Sequence, residues 1–410
     1  MTSLGAPIIA DRTLRASFIG LVQRHPNQGK PPEFPVDEAH EPHLRAATDW
    51  LVRAQDATPT GGIARGFSHA HHRYFRARGW QPEYPETTGY IIPTLFALAD
   101  RLGREELAAR ALLAAHWECA MQLPDGAVQG GVVGQDPSPS AFNTGQVIFG
   151  WLVALQRSGD IRFAEAAQSA ARFLAATIDR DGIWRRGHSQ FALEGATLYN
   201  TRTAWALLET AQVVDAPGAR DAAARSLRAA TLRQHASGWL PACCLNRPEQ
   251  PLLHTLAYAI TGLLEGGRLL GDDRSIAAAA AAAAALADQV DASGRLAGRY
   301  FADWRRAVSW SCLTGEAQMV TAWLRLHAIT GDSKWLEPVA PVLRHLKGTQ
   351  DRDSTVPGIA GGINGADPID GDYCAHETLS WATKFFVDAM LLDERRHGHA
   401  PSASPPALLG

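Results

Sequence analysis

Cysteine is scarce in this chain: 410 residues carry five, at positions 119, 243, 244, 312 and 374. A sparse and odd count fits reduced thiols, as in the cytoplasm, better than a disulfide framework. An excess of either charge is also missing. The 39 Lys and Arg against 42 Asp and Glu leave a net charge of −3, with no basic stripe and no acidic tail. That balance speaks against a nucleic-acid partner. Long apolar runs are absent too. The longest candidate, Ala277–Ala285, is too short and too weakly apolar to cross a bilayer, so no integral membrane segment is expected. The first residues, MTSLGAPIIADRTLR, lack a basic region followed by an unbroken apolar stretch. They do not resemble a secretory signal, and the chain is expected in the cytoplasm.

What is present is a repeat. Thr88, Thr144, Thr201, Thr255, Thr314 and Thr378 each open an apolar stretch of helical character, at spacings of 56, 57, 54, 59 and 64 residues. A near-constant period of this size means one structural unit used repeatedly, and it overrides the two or three domains that length alone suggests. Between these stretches lie amphipathic ones, such as HLRAATDWLVRAQ and RFAEAAQSAARFLAATI, with Ala and Leu at helical spacing and charges on the opposite face. Each unit therefore pairs a polar outer helix with an apolar inner one. Most outer helices end at a glycine turn: Gly61-Gly62, Asp125-Gly126, Asp181-Gly182, Ser237-Gly238 and Ser293-Gly294. Six such units predict an all-α (α/α)6 toroid over residues 42–395, with short β-like turns at one end, an N-terminal arm at 1–41 and a loose tail at 396–410. The rival is an open solenoid, whose repeats are usually shorter, roughly 34–47 residues.

In a toroid the inner-helix N-termini gather at one end of a central cavity, with free N–H groups facing it. The side chains at those six starts exceed what capping requires. They include Tyr84, Glu86 and Tyr90; Asn143 and Gln146; Tyr199, Asn200 and Arg202; His254 and Tyr258; Cys312 and Glu316; and His376 and Glu377, with Tyr373 in the loop before the last. The preceding loops add Trp80, Trp184, Arg185 and Asp372. Trp residues in such turns either wedge neighbouring hairpins or offer flat faces to sugars or isoprenoid chains.

Four chemistries compete for this set. A carboxylate pair drawn from Glu86, Glu316, Asp372 and Glu377 suits glycoside hydrolysis, one acid protonating the leaving oxygen while the other activates water or attacks. Glu86 leads, because it sits in the polar and aromatic run Tyr84-Pro85-Glu86-Thr87-Thr88-Gly89-Tyr90. The plainer reading is that carboxylates beside helix starts serve the helix dipole. The Asn, His, Tyr and Arg set suits a uronate lyase or epimerase. Cys312, Cys374 and His376 would make an open zinc site. Their order resembles that of lanthionine synthetase cyclases, but Ala375 separates Cys374 from His376, and buried inert cysteine is the commoner case. The Trp and Gly-turn pattern resembles terpenoid cyclase and prenyltransferase toroids, yet the Asp-x-Asp-Asp acid of protonating cyclases is missing; Asp367-Pro368-Ile369-Asp370-Gly371-Asp372 is the nearest approach.

The strings YPETTGYIIPT (84–94), NTGQVIFGWL (143–152), SCLTGEAQM (311–319) and WATKFFVDAML (381–391) resemble a family of bacterial α/α-toroid proteins of polysaccharide-biosynthesis loci, described as terpenoid-cyclase-like or glycan-processing. The resemblance spans roughly 42–393. It implies the toroid and a glycan context, and carries no residue roles.

Together these observations point to a carbohydrate-active, glycoside hydrolase-like enzyme using carboxylate acid/base chemistry on a poly- or oligosaccharide. Glu86 would be paired with Glu316, Asp372 or Glu377. Trp80, Tyr84, Tyr90, Asn143, Gln146, Trp184, Arg185, Asn200, Arg202, His254, Tyr258, Tyr373 and His376 would bind substrate. Neither metal nor cofactor is assigned, and the oligomeric state is left open. Alternatives are a uronate lyase or epimerase, a terpenoid-cyclase-like enzyme, and a non-catalytic glycan-binding protein.

Overall fold

A computed structural model describes residues 39–135, 137–189, 191–193, 195 and 197–397. The arm at 1–41 and the tail at 396–410 lie outside the described residues, apart from 39–41 and 396–397. Twelve α-helices follow one another among the described residues. They are α1 (Glu41–Asp56), α2 (Pro85–Leu102), α3 (Glu105–Met121), α4 (Ala141–Ser158), α5 (Ile161–Thr177) and α6 (Thr201–Val213). Then come α7 (Ala219–Arg233), α8 (Leu253–Leu270), α9 (Asp273–Ala287), α10 (Leu313–Thr330), α11 (Val339–Gly348) and α12 (Ser380–Arg396). The even-numbered helices pack α2 on α4, α4 on α6, and so on to α12, which returns to α2. The inner ring is therefore closed, and the fold is the (α/α)6 toroid.

Residue pattern explains which helix goes where. Every residue of α10 from Leu313 to Leu326 is buried, as a helix with neighbours on all sides requires. Helix α7 instead buries Ala222, Ala223, Leu227 and Ala230 and exposes Arg220, Asp221 and Arg228. The pairing within a unit differs from the outer-then-inner order the sequence suggests. Each inner helix packs chiefly on the outer helix that follows it, and α1, the first outer helix, packs on α12, the last inner one. The reason is connection length. After α2, α4 and α8 the chain reverses within two residues through left-handed Gly103, Gly159 and Gly271, each closing its helix C-terminus. After α6 and α10 the connections, at 214–218 and 331–338, lie at the same end; the outer-to-inner connections are the long ones, at the N-terminal end of the inner ring.

Those long loops carry the short strands: β1 (Gly66–His72), β2 (Ala77–Trp80), β3 (Val128–Gln129), β4 (Pro139–Ser140), β5 (Ser311–Cys312), β6 (Ile363–Asn364), β7 (Ala366–Asp367) and β8 (Glu377–Leu379). One sheet runs β2-β1-β8-β6 and joins the first loop to the last; the rest pair as β3 with β4 and β5 with β7.

The glycine turns dock the loops onto the next outer helix. Gly126, Gly182, Gly294 and Gly361 have φ between +80° and +90°, and a Cβ on them would lie 2.5, 2.3, 2.2 and 2.3 Å from the carbonyl oxygens of Ser169, Arg225, Pro341 and Ala46. Gly361, a sixth turn not picked out in the sequence, docks on α1 and so repeats the contact across the closure. Two residues after the turn glycine, a backbone N–H is tied to the fourth residue of the inner helix. Ile63 donates to Thr88 Oγ1 at 3.0 Å and Val128 to Thr144 Oγ1 at 2.8 Å. In the fifth unit Leu296 donates to Glu316 Oε1 at 2.8 Å, and in the sixth Ile363 donates to Thr383 Oγ1 at 3.0 Å. In these four units the repeated element is thus an acceptor at this helical position, whereas Thr201 and Thr255 in the third and fourth units donate to carbonyls. Glu316 and Thr383 fill it in the last two units, not Thr314 and Thr378.

Gly294→Ala is expected to destabilise the protein by several kcal/mol, because the substitution both strains a positive φ and overlaps the Pro341 carbonyl. Gly103→Ala, with a similar φ of +64° but open space around it, should cost only about 1 kcal/mol. Denaturant midpoints of the two variants measure the difference, and equal losses would refute the docking role of the turn.

Candidate active site

Five of the six inner-helix starts converge on one cavity; the start of α10 does not reach its lining. The cavity is lined by Arg65, Tyr84, Glu86, Phe142, Asn143, Ser189, Phe191, Tyr199, Leu245, His254, Thr255, Tyr258, Tyr373, Cys374 and Trp381, and measures about 80 Å³. A space of that size has room for part of one small molecule, not for a length of chain.

Among the described residues, Glu86 is the one carboxyl in the lining. Helix α2 begins with Pro85, which needs no N–H partner at that position, and Glu86 follows in the first turn. The helix start favours a carboxylate, as do the positive charges of Arg65 and Arg202. Burial outweighs these effects and pushes Glu86 up to about 7. Tyr84 donates its phenol proton to Glu86 Oε2 at 2.6 Å, and its own ionisation is pushed well above the usual tyrosine range by burial and by Glu86.

His254 stands on α8. Its Nδ1 lies 2.8 Å from Gln318 Oε1, which accepts, so Nδ1 holds the proton and Nε2 the lone pair. Burial, reinforced by Arg202, brings this imidazole down to about 4, so it is neutral at pH 7. Its ring packs 4.4 Å from Tyr258 and 5.7 Å from Tyr373. Phe142 lies between Tyr199 at 5.1 Å and Tyr258 at 4.9 Å and forms an aromatic wall.

Beneath the lining is a layer of buried cations on aromatic faces. Arg202 lies 5.1 Å from Trp205, 5.1 Å from Tyr258, 5.3 Å from Phe149 and 5.6 Å from Phe385, and donates from Nε to Gln146 Oε1 at 2.7 Å. Tyr90 is 5.5 Å from Phe385, and its phenol interacts with that of Tyr258. Lys384 pairs with Asp388 at 2.6 Å and sits 4.0 Å from the Phe385 ring; burial brings it down to about 8. Gln146, Arg202 and Tyr90 thus support the floor from below.

The other expected carboxylates lie elsewhere. Glu316 is tied to Leu296 N and to His345 Nδ1 at 2.8 Å, joining inner helix α10 to outer helix α11. Glu377 is buried on β8 against Arg65, His72 and Gln81; these partners overcome burial and hold it at about 2. Asp372 pairs with Arg247 at 2.5 Å and Arg299 at 3.3 Å on a loop outside the lining. Trp184 is a wedge: its indole donates to Leu174 O at 3.0 Å. Arg185 is a surface residue paired with Asp179 and Asp181. Asn200 accepts from Thr203 at 3.3 Å within its own helix start. Trp80 lines a separate groove on the hairpin β1–β2. His376, at φ +59°, serves β1 through its carbonyl, which accepts from His69 N at 2.9 Å. None of these eight lines the cavity. Nor do Cys312, Cys374 and His376 form a metal cage: no group of three or more His, Cys, Asp or Glu suited to a metal exists among the described residues. Burial pushes both thiols up to about 12.

Sequence reasoning did not mark Arg65, Phe142, Ser189, Phe191, Leu245, Thr255 or Trp381 as lining residues. Arg65 follows the first glycine turn and gives no local sign, since its partner Glu377 is 312 positions away. Trp381 sits one residue into α12; the true helix start, Ser380, would have marked it.

The His345 cluster carries a pH signature. Glu316 and Asp367 raise His345 to about 9 against its own burial. A raised base stabilises fully below the unfolded pKa near 6.5, and that contribution is lost as pH rises through about 9. Relative to His345→Gln, the wild type should therefore lose stability between pH 6.5 and 9. Parallel melting curves of the two proteins across that window would count against the cluster.

No family profile matches the chain's sequence, and no curated protein matches it. Solved structures do match its fold. An unsaturated glucuronyl hydrolase specific for heparin aligns with TM-score 0.69 at 16% identity, covering 88% of this chain and 99% of that one. An unsaturated glucuronyl hydrolase from a Bacillus species, responsible for the degradation of glycosaminoglycan, aligns with TM-score 0.67 at 14% identity, covering 87% and 97%. A sugar epimerase from a ruminal bacterium aligns with TM-score 0.66 at 15% identity, covering 88% and 98%. At these identities the likeness is one of fold, and it extends over nearly the whole length of each of those proteins.

Proposed function

We propose that the chain is a carbohydrate-active enzyme of the hydrolase type, in which Glu86 is the proton donor to a sugar unit held at the cavity end of an oligo- or polysaccharide. The observation that carries this reading is the state of Glu86: a cavity-lining carboxyl without a carboxylate partner, held at about 7. An acid tuned this way is half protonated near neutral pH and returns to the same state after each transfer. Hydrolysis by two facing carboxylates would need a second acid in the lining. A single acid suffices where the sugar carries a C4=C5 enol ether, as an unsaturated uronyl unit does. Glu86 delivers its proton to C4, and the positive charge that develops at C5 is stabilised by the ring oxygen. Water adds at C5 and gives its proton back to Glu86. The resulting hemiketal opens, and the unit is released as the glycosidic bond breaks. The fold likeness to unsaturated glucuronyl hydrolases supports this form of the reaction. Tyr84 orients the carboxyl, Asn143, Tyr258 and Tyr373 surround the sugar, and Arg202 and Tyr90 fix the floor.

Neutral His254 favours a second reading, epimerisation or isomerisation. Its Nε2 lone pair is a base for a proton next to a carbonyl, with Glu86 as the acid, and sugar epimerases share the fold.

Glu86→Gln should lower kcat by about 10²–10⁴-fold on an unsaturated uronyl disaccharide, followed by loss of the ultraviolet absorbance of its double bond. As Glu86 must be protonated to act, kcat/KM should fall as pH rises through about 7. Wild-type turnover by Glu86→Gln would reject the assignment. Solvent deuterium appearing at C2 of a reducing sugar, with no loss of any double bond, would select the second reading.

A further inference from the structure

The hairpin β1–β2 has a composition that neither the fold nor the cavity chemistry explains. From Ala57 to Pro82 the chain holds no acidic residue but includes Arg65, Arg73, Arg76 and Arg78, with His69, His71 and His72. Arg73, Arg76 and Arg78 are exposed. Unlike most of the arginines around the toroid, such as Arg101, Arg104, Arg110, Arg157 and Arg185, they have no carboxylate partner among the described residues. Three unneutralised guanidinium groups within six residues create a local positive field on a chain whose net charge is −3.

The position of the hairpin gives that field a use. Strand β1 pairs with β8, and Phe75 at the hairpin turn lies 5.5 Å from the guanidinium of Arg65, a cavity-wall residue. Strand β2 leads through Gln81 and Tyr84 into Glu86 within six residues of its end. The hairpin also carries a groove of about 380 Å³, lined by Thr58, Pro59, Phe75, Trp80, Gln81 and Glu83 among others. The Trp80 ring in this groove is fixed by Trp50 at 5.3 Å and Phe67 at 5.4 Å. Arg78 and Trp80 stand two apart on β2, on either side of Gly79 at φ +99°. One hairpin thus carries an aromatic ring on which a sugar can stack and guanidinium groups for its acid substituents, the two elements that an acidic glycan requires.

We infer that the β1–β2 hairpin binds an acidic polysaccharide chain, carboxylated or sulfated, outside the catalytic cavity. Arg73, Arg76 and Arg78 contact its anionic groups, and Trp80 stacks on a sugar ring. The choice of a glycan over another polyanion rests on the carbohydrate reading of the cavity; the surface itself does not depend on turnover.

Affinity electrophoresis of the full chain tests this, in gels containing polygalacturonate, chondroitin sulfate or neutral dextran, with duplex DNA in a parallel gel. The wild type should be retarded by at least one acidic glycan and not by dextran, with retardation falling as salt rises. A variant with Arg73→Ser, Arg76→Asn and Arg78→Ser should bind on the order of tenfold more weakly. Asn is chosen at position 76 because φ is +51° there. Arg220→Ser with Arg228→Ser, on the remote face of α7, should bind as wild type, which separates a local site from overall charge. Glu86→Gln should be retarded like wild type, so failure of the catalytic reading and failure of this one are distinguishable. The inference is overturned if neither acidic glycan retards the wild type, if the hairpin variant binds unchanged, if the α7 variant loses as much, or if duplex DNA is bound as tightly as the glycans.

Discussion

The ring is closed by a buried ion pair. Arg65, just after the first outer helix, meets Glu377, just before the last inner one, with side chains 1% and 2% exposed. Around this pair β1 joins β8, Trp50 donates to Gly358 O at 2.8 Å, His43 lies 2.6 Å from Gln350, and Gly361 docks on Ala46. A buried pair of this kind adds little net stability when whole, but losing one partner strands a charge in the interior, at a cost of about 3–5 kcal/mol. Since Arg65 also forms the cavity wall and lies over the Trp381 ring at 4.8 Å, the contact that closes the toroid is the contact that shapes the site. Closure and function cannot be separated at this point in the chain.

Two carboxyls show how the protein assigns opposite states to similar groups. Glu86 and Glu377 are both enclosed by protein, and burial is the largest influence on each, pushing both upward. Glu377 receives Arg65, His72 and Gln81 and comes down to about 2. Glu86 receives one neutral phenol, with Arg65 and Arg202 acting only through space, and stays at about 7. The difference lies in the number and charge of direct partners. Arg65 serves both outcomes: it is consumed by Glu377, which leaves Glu86 free to remain an acid.

The fold was legible because it is written six times. Apolar and polar helices alternate, glycines punctuate them, and a period near 57 residues needs no tertiary knowledge. Convergence of the inner-helix starts was legible for the same reason, and it located Tyr84, Glu86, Asn143, His254, Tyr258 and Tyr373 in one cavity. What a motif of letters hides is the role behind the letter. The repeated role is an acceptor for a loop N–H, which Thr88, Thr144 and Thr383 supply with a hydroxyl and Glu316 with a carboxylate. Matching on Thr alone kept the register only in the first two units and left Glu316 looking like spare chemistry. Glu377 and Asp372 misled for a different reason: their arginine partners stand 312, 125 and 73 positions away, beyond the reach of any local pattern.

A cavity of about 80 Å³ sets the remaining constraint. Few of its polar groups are uncommitted: Asn143 is held by Gln129 O and Ser140, and Arg65 by Glu377. Binding within the cavity alone is therefore small, and it is better spent on the transition state than on the ground state. On the proposed function, hold on the rest of a long substrate comes from surface outside the cavity. The long loops all lie at that end of the toroid, and the first of them rises as a β-hairpin joined through β8 to the wall that carries Trp381. Short turns at one end of the ring and long ones at the other thus divide the labour: one end fixes the helices, and the other supplies both the acid and the surface around it.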